Sequence, residues 1–209
     1  MKRTHSQSSS ALLLIALLYS AALAQGAAQR PGKPGPRQAC DCLEPQTQLE
    51  LFNTRLETVI VRGTTHVMNL ATRQGSISVD AIELRDEGNG VRATGVVLEL
   101  TASPPADATH PASAAISYID YDEIDGLITA WDRVAKADET ITKLTNFNAR
   151  YRSKDDLEIS VFRQSPGGAI AAAVTGGTCE RVRVLLSLEE LTRLRWMIVQ
   201  AKAKLDEVK

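Results

Sequence analysis

From residue 57 onward, apolar and polar positions alternate with a period of two, the spacing of β-strands with one buried face. Val59 and Val61 mark a run over 57–62 that breaks at Gly63, and a second run over 65–72 ends at Arg73-Gln74-Gly75. Over 76–85, Ile77 and Val79 share a face and the apolar positions then shift to Ile82 and Leu84, a change of phase that predicts a bulge near Ala81. Asp86-Glu87-Gly88-Asn89-Gly90 has the composition of a hairpin turn. It leads into a strand over 91–100 with Val96, Leu98 and Leu100 on one face, and a further strand over 116–118 runs directly into a helix.

There the period changes to that of a helix. Asp120 stands as a cap with Glu123 three residues on to complete a capping box, and Ile124, Leu127, Ile128, Trp131, Val134 and Ala135 form one apolar stripe. Strand patterns return over 146–152, 157–163, 169–175 and 180–186. Ser187 and Glu190 then open a closing helix striped by Leu191, Leu194, Ile198, Ala201, Leu205 and Val208. A shift of 67 residues places Asp120 on Ser187, Glu123 on Glu190, Ile124 on Leu191, Leu127 on Leu194 and Trp131 on Ile198, a weak internal repeat. The expected fold is α+β: antiparallel β-sheets with two amphipathic helices, arranged as tandem β4α halves over about 49–140 and 141–209. This order resembles the folds of certain single-stranded DNA-binding transcription regulators, a likeness of topology that carries no function by itself.

The N-terminal end has a different pattern. Lys2 and Arg3 precede an apolar run over 11–24 that closes on Ala22-Leu23-Ala24, the layout of a secretory signal peptide cleaved after Ala24. The run is shorter than the roughly 20 residues a membrane-crossing helix needs. The first cysteine, Cys40, lacks an apolar and small triplet before it, which argues against lipid anchoring. Residues 25–48 are rich in proline and glycine and read as a disordered leader. Residues 49–209 then form a single α+β domain that is exported, periplasmic or extracellular. A second irregular stretch over 102–115, with Pro104, Pro105 and Pro111, reads as a long surface loop.

Charge and composition narrow the partners. Loss of Lys2 and Arg3 leaves 22 basic against 25 acidic residues, a net of −3, so the basic excess common in polyanion binders is missing. At 4% aromatic residues, stacking platforms for bases or sugars have little material.

Candidate chemistry is sparse. Cys40, Cys42 and Cys179 suggest a disulfide in an oxidising compartment, joining either leader cysteine to Cys179 or linking two chains; three free thiols are the other arrangement. Asp120, Asp122, Glu123 and Asp125, followed by Gly126, are spaced unlike a calcium loop, with Ile124 and Trp131 at ligand positions, so no metal is assigned. After cleavage two histidines are left: His110, in the loop beside Pro111, and His66, within a strand. Neither belongs to a recognisable nucleophile constellation, and no serine lies in a Gly-x-Ser-x-Gly elbow. Gly167-Gly168 and Gly176-Gly177 read as turns rather than phosphate loops, and no catalytic residue or cofactor is assigned.

One feature points to a partner. On the closing helix, Trp196, Val199 and Ala203 fall about half a turn from the main stripe and make a second, smaller apolar face. Tryptophan is favoured at binding hot spots, so this face suits a protein partner or a homodimer.

Tyr118-Ile119-Asp120-Tyr121-Asp122-Glu123-Ile124-Asp125, Thr142-Lys143-Leu144-Thr145-Asn146-Phe147, Leu157-Glu158-Ile159-Ser160-Val161 and Ala201-Lys202-Ala203-Lys204-Leu205-Asp206 together are similar to a family of uncharacterised exported bacterial proteins with no assigned activity. The resemblance covers most of the chain after Val59 and implies no functional residues. The reading from sequence is therefore a non-enzymatic exported binding or interaction domain with no cofactor. An enzyme of unknown class is the alternative, favoured if His66 or Cys179 joins acidic residues in a pocket. Nucleic-acid binding is a second alternative, which requires Arg62, Arg73, Arg150 and Arg152 to gather on one face.

Overall fold

A computed structural model describes residues 46–104, 112–138, 140–163, 165 and 167–209. The expected signal peptide, most of the expected leader with Cys40 and Cys42, and His110 lie outside the described residues. The elements are α1 (Gln48–Asn53), β1 (Ile60–Thr72), β2 (Gly75–Asp86), β3 (Arg92–Ala102), β4 (Ser113–Asp120), a 3-10 turn (Tyr121–Glu123), α2 (Ile124–Ala135), β5 (Phe147–Arg152), β6 (Glu158–Arg163), β7 (Ala171–Gly176), β8 (Val182–Leu186) and α3 (Leu188–Asp206). They form two four-stranded antiparallel sheets, β1-β2-β3-β4 and β5-β6-β7-β8, each followed by an amphipathic helix, which is the expected α+β arrangement of two β4α halves.

Each helix leaves its own sheet for the other. α2, which follows the first sheet, packs on β5 and β6, whereas α3, which follows the second, packs on β1, β2 and β3, and the two helices touch. One core results, shared by Val79, Leu98 and Ile119 of the first sheet, Val161, Val174 and Val184 of the second, Trp131 of α2 and Leu194 and Ile198 of α3. Ser187 and Glu190 form the expected capping box at the start of α3. Val208 lies past the end of that helix and is half exposed, so the stripe stops at Leu205.

Three local expectations are corrected. The runs on either side of Gly63 form one strand, because Gly63 keeps extended pairing with Glu83. β2 is regular through Ala81, and the bulge lies opposite it, where β1 shifts register between His66 and Met68. The change of phase in β2 has another cause. Ile77, Val79 and Ala81 face the main core, while Ile82 and Leu84 face a second, smaller core with Leu49, Phe52, Ala93 and Val97. A short helix, α1, covers that opposite face, so β2 is buried first on one side and then on the other. Gly95 makes the docking possible: a Cβ there would stand 2.7 Å from Leu49 Cδ1 and 2.1 Å from Ile119 O.

The third correction concerns Asp120. It precedes the 3-10 turn without a side-chain capping bond, and its carboxylate instead accepts from Gln48 N (2.8 Å) and Leu49 N (3.2 Å). It therefore caps α1, the helix 71 residues earlier in the chain. Glu123 does not close a box either; it accepts from Lys154 N at 2.9 Å.

Candidate functional site

The face singled out on α3 follows from the helix's own composition. Leu, Arg, Glu, Lys, Gln and Ala dominate residues 188–206, all good helix formers, and Leu191, Leu194, Met197, Ile198, Ala201 and Leu205 are buried. The buried stripe sets the rotation of α3, and Arg195 and Lys202 reach across to α2, to Asp132 at 2.7 Å and to Asp125 at 3.5 Å. That rotation turns Trp196 outward with 47% of its surface exposed, Ala203 exposed beside it and Val199 half-buried. With the stripe buried, Trp196 is left on the outer side of α3.

His66 and Cys179 are placed differently. His66 Nδ1 lies 2.7 Å from Asp80 Oδ1, an acidic neighbour on the adjacent strand, but on an open sheet surface with the imidazole well exposed. Cys179 is disulfide-bonded, and its partner lies outside the described residues. The acidic run at the start of α2 is divided among separate partners: Asp120 caps α1, Asp122 pairs with Lys154 at 3.5 Å, Glu123 takes the Lys154 amide and Asp125 meets Lys202. Arg62 and Arg73 stand near opposite ends of β1, about 35 Å apart along an extended strand. Arg150 and Arg152 belong to β5 of the other sheet and pair with Glu158 at 3.9 Å and Asp156 at 3.4 Å. The four arginines do not share a face.

A cleft of about 510 Å³ between the β1–β2 turn and the start of α3 is lined by Arg73, Gln74, Leu185, Leu186, Ser187 and Glu190. It contains no histidine or cysteine, and Glu190 is already bonded to the Ser187 amide at 2.7 Å.

Sequence reasoning missed a buried acidic pair. Asp155, in the β5–β6 turn, is 1% exposed, accepts from Tyr118 N at 2.5 Å and hydrogen-bonds Glu50 of α1. Burial, followed by the hydrogen bond and charge of Glu50, pushes its carboxyl up to about 8 against the opposing pull of the Tyr118 amide. Glu50 in turn accepts from Thr47 N at 3.0 Å, completing the α1 capping box with the Thr47 hydroxyl. The Thr47-x-x-Glu50 pattern was the available signal for α1, hidden by the proline-rich residues before it.

Comparison of the chain with protein-family models, with curated proteins and with solved structures returns no match.

Proposed function

We propose that this chain is an exported, non-enzymatic binding domain that docks a protein partner, or a second copy of itself, through Trp196, Val199 and Ala203 on α3. The observation that carries the reading is the outward, half-exposed Trp196 on a helix whose opposite stripe is buried in the core and whose Arg195 pairs with Asp132 of α2. A rigidly held tryptophan loses little conformational freedom on binding and buries a large apolar area, which is why it is common at hot spots. The disulfide at Cys179 supports export, since such bonds persist in oxidising compartments.

An enzyme reading has one supporting observation, the His66–Asp80 pair, in which the carboxylate can orient the imidazole. The surroundings favour binding instead, because the pair sits on an open sheet surface with the imidazole more than half exposed.

Sedimentation of the mature chain, residues 25–209, at increasing concentration tests the surface together with capture from an envelope extract. Trp196→Lys should abolish self-association in the dimer form of the proposal, or abolish capture of an envelope protein in the partner form. Wild type and variant behaving alike in both measurements would overturn it.

A further inference from the structure

A four-stranded sheet has two edges, and three of the four edges here are blunted. At β4, Asp155 takes the Tyr118 amide and Ser117 Oγ accepts from Gly177 N at 3.1 Å, so the second half covers that edge. β5 has six residues and carries Arg150 and Arg152. β8 is shorter still, with five residues. β1 is different. It runs for 13 residues, pairs with β2 alone among the described residues, contains no proline, lysine or carboxylate, and buries Leu70 as its one buried side chain. Those are the devices that proteins use to protect an edge from added strands, and most are missing. The bulge at Val67 interrupts the strand but leaves a straight run over 60–66.

Pairing with β2 fixes where that run points its side chains. Arg62, Thr64 and His66 lie on the side of α1, opposite Leu84, Ile82 and Asp80, and Val61 and Thr65 lie on the side of α3. Val61 is half exposed. Arg62 has no ion pair among the described residues, and Asp80 holds Nδ1 of His66, whose imidazole is well exposed.

We infer that residues 60–66 of β1 form a docking edge for an extended peptide segment of another protein, acidic on one face and apolar on the other, which adds as a fifth strand to the first sheet. Backbone hydrogen bonds supply the pairing, an acidic side chain meets Arg62, and β-branched side chains cover Val61 and Thr65. A second copy is the poorer occupant, because β1 carries no carboxylate to meet Arg62 and self-pairing would set Arg62 of both strands on one face. This edge is separate from the Trp196 face and does not depend on it.

The test uses the mature chain and a soluble nine-residue peptide alternating glutamate and valine, read by fluorescence anisotropy and amide hydrogen exchange. The peptide should bind, slow exchange of alternate amides within 60–66, and bind about fivefold more weakly to Arg62→Glu, whose circular dichroism should match the parent. A lysine–valine peptide should bind more weakly still, and Trp196→Lys should bind as the parent does, which separates this edge from the helix face. No binding, protection elsewhere on the chain, equal binding by Arg62→Glu, or β1 protection that grows with protein concentration alone would overturn the inference.

Discussion

Asp155 shows how one side chain can set the response of the chain to pH. Its carboxyl titrates near 8 when folded against 3.8 for the ordinary group, so folding takes up a proton between those values. The stability it supports is fully present below about pH 4 and is lost as pH rises through about 8. Urea midpoints should therefore fall between pH 5 and pH 9, and Asp155→Asn, which keeps the shape and removes the charge, should flatten that fall. A parent with a flat profile would contradict the assignment. Asp86 acts with the opposite sign. The Thr58 hydroxyl first, then the Gly88 amide and Arg55, hold it down to about 2, so its stabilisation is lost only as pH drops below the ordinary carboxylate range. The two groups titrate in separate windows, and because burial also raises the Glu123 carboxyl, the Asp155→Asn variant is what isolates the Asp155 limb.

Among the elements, α1 is small but tied at both levels of structure. Leu49 and Phe52 are buried against β2 and β3, each worth about 1.5–3 kcal/mol of apolar burial. Its first amides are satisfied by Asp120 from the far end of the first half. Asp120→Ala should cost about 1–2 kcal/mol in chemical denaturation, no less than Ser187→Ala at the solvent-facing cap of α3, because it strands buried amides of α1. A negligible cost for Asp120→Ala with a normal cost for Ser187→Ala would contradict that role. The same pair of residues shows what sequence could and could not reveal. Period and capping pattern marked the start of α3 correctly, since Ser187 and Glu190 act locally. They misassigned Asp120, whose partner is 71 residues away and which no local pattern encodes. The shift at Ile82 was visible but ambiguous, because a bulge and a second covered face produce the same change of phase. Trp196 was legible as off the main stripe; its exposure depended on which elements pack around α3, which spacing on α3 alone does not reveal.

For the whole molecule, the exchange of helices between sheets makes one core from two halves, so neither half is expected to fold without the other. The disulfide of Cys179 adds a covalent tie. Non-reducing peptide mapping of the protein should join the Cys179 peptide to the one bearing Cys40 and Cys42, with one thiol left to alkylate; a freely alkylated Cys179 would contradict both the tie and the proposed export. The central claim is that the surface around Trp196 meets another protein. A photo-crosslinking residue placed at position 196 of the full chain in living cells tests it most directly, with position 136, exposed at the end of α2, as the control. The account predicts a discrete crosslinked protein species from position 196 and none from position 136. Equal or absent crosslinking at the two positions would contradict it.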